Sequence, residues 1–311
     1  MGHSKMKGVS AAILSCMFFS ISPIFEKTLL TCMSPLALAA LRSLTGGVLL
    51  LFAMEVVHKM REIEELTRHD ILMILLIIGT AGVLAPIFYL RGLNLTSVAN
   101  TLLIGRSNSL LIAVWAWLFL KEKWTIHQAV GSVLMITGLF AIFTRGFTAS
   151  YTFLPGDMYL LAAATMWSSS AVLMKRYLHH LPPEVIVVSR NMIGGLVLLV
   201  FGFGDVNAIQ YSIQIPVYLI GLAVFGVILP QMLWYFALEH TKATTVGLAS
   251  ISIPIFGTFF AAIFLGEKLV EYQLIGGFLV LIGLTAMEIH LSQLSIKNLK
   301  RRLKLRPHFH H

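Results

Sequence analysis

Charge is what this sequence has least of: Asp, Glu, Lys and Arg together make 12% of its 311 residues, about half the share found in soluble domains. An ordinary globular surface is excluded. Aspartate occurs only as Asp70, Asp157 and Asp205, and no two carboxylates meet in the middle of an apolar stretch. That excludes the acid/base or nucleophile constellation of a membrane-embedded hydrolase, and equally a cation pump built on a central glutamate. No phosphate-binding glycine loop and no metal-ligand spacing occurs, so neither cofactor nor metal is expected and ATP is not the energy source within this chain. Of the two cysteines, Cys16 lies within the first span and Cys32 in a short outer connection, a separation too large for a disulfide unless that helix ends early. The first apolar stretch lacks a small-residue cleavage site, so it reads as a retained anchor.

What is present is apolar: 57% of the residues are hydrophobic. A bilayer span needs about 20 mostly apolar residues, and ten such segments can be drawn, at 8–26, 35–57, 71–90, 98–119, 126–144, 157–177, 184–203, 216–236, 244–265 and 271–290. The net charge of +9 sits at span ends rather than on one aromatic-studded face, which points away from nucleic acid and toward topology. With the N-terminus inside, sixteen Lys and Arg fall in cytoplasmic segments against Lys27, Arg91, Arg145 and Lys268 outside. By the positive-inside rule both termini are cytoplasmic, in the inner or plasma membrane. The basic tail 293–311, Lys297 to Arg306 above all, is expected to lie on the anionic inner leaflet, and a monomer is a sufficient unit.

The chain also repeats itself. At an offset of 148, Ser20, Ser22, Lys27, Pro35, Arg42, Gly46 and Gly47 meet Ser168, Ser170, Lys175, Pro183, Arg190, Gly194 and Gly195; at 145, Leu93, Thr96, Glu122, Gln128 and Gly138 meet Leu238, Thr241, Glu267, Gln273 and Gly283. The third helices share Gly-x-x-x-Pro, as Gly82 to Pro86 and Gly226 to Pro230. The repeats are 1–148 and 149–292. Five spans is an odd number, so the second copy enters the membrane from the opposite side, giving two inverted five-helix repeats, an arrangement characteristic of secondary transporters.

The segments "LFLKEKWTIHQAVGSVLMITGLFAI" and "IFLGEKLVEYQLIGGFLVLIGLTAM" resemble the EamA domain of the drug/metabolite transporter superfamily, and the resemblance covers nearly the whole chain. It implies an all-α membrane protein of ten helices around a central cavity, lined mainly by the first, third and fourth helices of each half. The family's proline in the fourth helix stands as Pro254 in the second half. Ser109 holds its place in the first, which leaves a kink there without its usual cause.

Symmetry sorts the polar residues, since fold requirements apply to both halves and substrate requirements need not. Arg42 and Arg190 match, each seven residues after Pro35 or Pro183, roughly 10 Å into the membrane and within snorkelling reach; they read as structural or as cavity lining. Glu122 and Glu267 match and are expected to fix the turn between the last two helices of each half. Pro86 and Pro230 read as hinges or passive kinks. Arg106 and Asn108, in Gly105-Arg106-Ser107-Asn108-Ser109, face Ile251 and Ile253 in the repeat. An intramembrane arginine costs about 2.5–3.5 kcal/mol on insertion scales, and its planar fork suits a carboxylate or phosphate. Arg106 therefore either grips substrate or pairs with a carbonyl or with Glu26, whose counterpart is Met174. Tyr89, Trp167, Ser168, Gln231, Tyr235 and Ser252 complete the candidate lining.

The reading is a non-enzymatic, multi-pass secondary transporter exporting or importing a small polar metabolite, an amino acid or similar carboxylate, by alternating access. A phosphorylated or nucleotide-linked metabolite, or a non-transporting lipid-handling role, stays open.

Overall fold

Long apolar runs leave the backbone no polar partner but itself, and in the computed structural model every regular element among the described residues is helical. Residues 2–53, 66–121, 124–146, 154–207, 214–241 and 243–304 are described. The first half forms α1 (Gly2–Leu29), α2 (Pro35–Ala53), α3 (Arg68–Ile77), a π-helical turn (Ile78–Leu84), α4 (Ala85–Leu95), α5 (Val98–Gly105), α6 (Ser107–Leu120) and α7 (Ile126–Phe143). The second forms α8 (Pro155–Tyr177), α9 (Pro183–Phe201), the short α10 (Phe203–Asn207), α11 (Gln214–Gly221), a π-helical turn (Leu222–Ile228), α12 (Leu229–His240), α13 (Ala243–Ser250), α14 (Ser252–Leu265) and α15 (Glu271–Lys304). Among the described residues, five stretches are long and apolar enough to cross a membrane, Met6–Leu29, Arg68–Leu95, Val98–Leu120, Ile126–Phe143 and Thr245–Leu265, and four shorter apolar helices accompany them.

Two interruptions occur in each half at matching places. In the third helices, a π turn precedes a proline. The Ala85 N–H bonds to the Thr80 carbonyl, and the Leu229 N–H to that of Val224, a π register that shifts the ladder by one residue. In that register the donor due to Ala81 is residue 86, a proline with no N–H. The fourth helices break at Arg106 and at Ile251, where the N–H reaches back only three residues, to Leu103 at 3.1 Å and to Leu248 at 3.2 Å. The break in the first half thus exists with Ser109 in place of proline; a tight turn at Arg106, φ −67° and ψ −19°, supplies it. Both fourth helices then end on a left-handed residue, Lys121 at φ 54° and Gly266 at φ 66°.

The halves are interleaved. α1 packs on α12, α13 and α14, while α8 packs on α3, α4 and α6. α7 crosses α15 where small residues let the backbones meet: a Cβ on Gly138 would stand 2.5 Å from the Gly276 carbonyl oxygen, and one on Gly131 would stand 2.6 Å from that of Gly283. α2 and α9 meet likewise, with Gly47 against Met192 and Gly195 against Leu44.

Candidate functional site

Glu26 stands three residues before the end of α1, and its sequence position suggested a span edge. The structure buries it completely. Ser22 Oγ donates to its Oε1 at 3.1 Å, Tyr89 OH donates to Oε2 at 2.9 Å, and Arg42 Nε lies 3.1 Å from Oε1. A charge removed from water needs a counter-charge and hydrogen bonds, and three donors from α1, α2 and α4 provide both. Arg42 also lies over the Tyr89 ring, 5.2 Å from its centroid. Tyr89 in turn packs on Trp167 of α8 at 5.5 Å between centroids. The Trp167 indole N–H donates to the Ala81 carbonyl at 3.2 Å, the group left without a backbone donor by Pro86.

On the far side of the same π turn is Arg190 of α9: a Cβ on Gly82 would stand 2.8 Å from the Arg190 carbonyl oxygen. Arg42 is close enough for its charge to act on Arg190. Arg42 Nη1 and Arg190 Nε are buried and donate to no partner among the described residues. The cluster therefore holds two guanidinium groups and one carboxylate.

Arg106 sits at the break between α5 and α6 and donates from Nη1 to the Ser250 carbonyl at 3.4 Å, joining the two broken helices. Its partner there is a carbonyl, and Glu26 is held by Ser22, Tyr89 and Arg42. Cys16 of α1 lies against Ser252 and within reach of the Arg106 charge. Asn108 has a buried carbonyl oxygen that accepts no hydrogen bond among the described residues. Ser252 and Ser168 donate to the carbonyls of Ala249 and Thr165, at 2.7 and 2.9 Å, bonds that relax a helix rather than cross between helices. Ser15 Oγ donates to the Pro230 carbonyl at 2.6 Å. The Gln231 and Tyr235 side chains, and Glu122, lie outside the described residues.

A second polar cluster closes the end of the molecule where α5 and α8 begin. Glu267 was expected to hold its own turn; its carboxylate instead accepts from the backbone N–H groups of Val98, at 3.0 Å to each oxygen, and of Ala99 at 3.4 Å. The first turn of α5 offers unbonded N–H groups and the positive end of the helix dipole, which the acid satisfies from the other half. Lys27 Nζ donates to the carbonyls of Leu93, Asn94 and Thr96 at 2.6, 3.1 and 2.7 Å, closing the end of α4. Asp157, fully buried, accepts from Thr96 Oγ1 at 2.9 Å and pairs with Arg145 at 3.2 Å. Sequence reasoning missed Asp157, Arg145 and the Glu26–Arg42 pair because each joins different helices. The one signal was asymmetry: Glu26 meets Met174 and Asp157 meets Val9 across the repeat, while Arg42 and Thr96 keep their counterparts.

The model of the EamA-like transporter family matches residues 6–144 and 154–288. A transporter of Methanothermobacter thermautotrophicus, described as uncharacterized, is 28% identical over 90% of this chain and 85% of its own. The Bacillus subtilis transporter YvbV, described in the same way, is 27% identical, with 83% of each chain covered. A Salmonella typhimurium protein described as a probable amino-acid metabolite efflux pump is 27% identical over 56% of this chain and 61% of its own. Among solved structures, one crystal structure superposes with a TM-score of 0.61 at 17% identity, covering 94% of this chain and 99% of that one.

Proposed function

The chain belongs to the EamA-like transporter family, and from that premise we propose that it moves a small polar metabolite, an amino acid or similar carboxylate, across the inner or plasma membrane by alternating access. Both termini are then cytoplasmic, and the ten spans form two inverted five-helix repeats. The observation that carries the mechanism is the paired interruption: each half has a π turn before a proline in its third helix and a break in its fourth. Irregular backbone at membrane depth is tolerated where it lines a cavity or is buried in protein, and broken helices at a repeat interface are where carriers bind. The residues that would touch substrate are Arg106 and Asn108 at one break, Ser252 at the other, and Tyr89, Trp167, Ser168, Gln231 and Tyr235 on the adjoining helices. The amino-acid choice draws support from the name of the Salmonella relative.

Flux into proteoliposomes, over a panel of amino acids and organic acids, tests the reading. Arg106→Ala should insert and fold normally yet lose about ten- to a hundred-fold in apparent affinity, the worth of charge-assisted hydrogen bonds of roughly 1.5–3 kcal/mol. Arg106→Lys should recover part, since it keeps the charge without the fork. Unchanged affinity in a folded Arg106→Ala would remove that residue from the site, and no flux of any member of the panel would remove the reading.

A further inference from the structure

One of the charge differences between the halves falls within a bonded set. In the first, Ser22, Glu26 and Arg42 form a bonded set. Their counterparts in the second are Ser170, Met174 and Arg190: the serine and the arginine are kept and the carboxylate is gone. The Arg190 side chain makes no hydrogen bond or ion pair among the described residues, and its Nε is buried. The side chain is half-buried, with Nε away from water; a partly desolvated guanidinium calls for an anion, and this one sits on a rigid support. Its backbone is wedged against Gly82, and a Cβ on Gly194 one turn later would stand 2.7 Å from the Gly82 carbonyl oxygen.

We propose that Arg190 receives the carboxylate of the substrate, which thereby takes the place in the second half that Glu26 occupies in the first. The inference rests on the carrier reading above and adds to it a specific anion subsite. Charge balance selects the ligand class. Within this cluster Glu26 neutralises Arg42, leaving one positive charge; a single carboxylate group placed there cancels it, whereas a phosphate dianion would leave an excess negative charge. A planar carboxylate also matches the guanidinium fork with two parallel bonds. Trp167 is fixed through its indole N–H to the carbonyl of Ala81, the residue before Gly82, and packs at a tilt on Tyr89. That aromatic pair offers a wall for the apolar part of an amino acid.

The test uses the purified full-length protein, with melting temperature followed against L-leucine, L-phenylalanine and L-threonine, against the primary amide of each, and against acetate paired with acetamide at constant ionic strength. The acids should raise the melting temperature and the amides should not. Arg190→Gln should weaken the acid effect at least ten-fold, and Arg190→Lys should fall between it and the wild type. Met174→Glu, which restores the carboxylate at the position equivalent to Glu26, should melt at or above the wild-type temperature and lose the response to acids; Met174→Gln should keep it. The proposal is overturned if acids and amides act alike, if no acid acts on the wild type, or if Arg190→Gln retains the acid-specific shift. Acid binding that depends on Arg190 without flux in proteoliposomes would uphold this subsite and overturn the carrier reading. Flux of a carboxylate that is indifferent to Arg190 would do the reverse.

Discussion

Arg42 and Arg106 carry the same charge at comparable depth, yet their removal should have opposite consequences. Arg42→Ala leaves the buried Glu26 carboxylate with hydroxyl donors alone, and breaking a buried pair costs about 3–5 kcal/mol; Arg42 is 30% exposed, so the lower end is expected. Melting temperature and folded yield in detergent should fall, and Glu26→Gln in the Arg42→Ala background should restore part of the loss because no uncompensated charge remains. Arg106, bonded to a carbonyl across the two broken helices, should register in affinity instead. The sequence showed the intramembrane arginines and their repeat partners, because charge stands out against an apolar run. It did not show which arginine holds an acid: Glu26 and Arg42 lie on separate helices, and only the tertiary fold brings them within 3.1 Å.

Among elements, α7 and α15 illustrate what glycine spacing can predict. Gly131 and Gly138 meet Gly283 and Gly276 so closely that a methyl group at Gly138 would press on a backbone oxygen, which cannot yield as a side-chain tip can. Gly138→Ala should therefore cost about 1–3 kcal/mol as overpacking, read as a lower melting temperature, although alanine is the better helix former. The same spacing was visible in the sequence. The fourth-helix breaks were less so, since a proline marks the second and nothing but Arg106 marks the first; there the tight turn is fixed by packing. Lys121 adopts the left-handed conformation that Gly266 adopts in the other half. Lys121→Gly should raise stability by up to about 1 kcal/mol, the relief of a strained backbone, measurable as a rise in melting temperature.

For the molecule as a whole, the repeat and the charge count were legible because periodicity and the positive-inside bias are properties of the chain, not of its contacts. The topology they imply is open to direct measurement. A cysteine placed at Asn207, in the 203–215 connection that contains no Lys or Arg, should react with a membrane-impermeant reagent only from the external side. Labelling from the cytoplasmic side would overturn the inverted arrangement. The closure at the opposite ends of the two halves was not legible at all, because Glu267 finds its partners in backbone N–H groups that carry no side-chain signature. That bond has a consequence for how the protein is made. Val98 and Ala99 precede their acceptor by 169 and 168 residues, and at about 5–20 residues per second of synthesis α5 leaves the ribosome roughly 10–30 s before Glu267 does. Throughout that interval Ser97 caps the Asn100 N–H from within the first half, while the N–H groups of Val98 and Ala99 wait for an acceptor that the second half supplies.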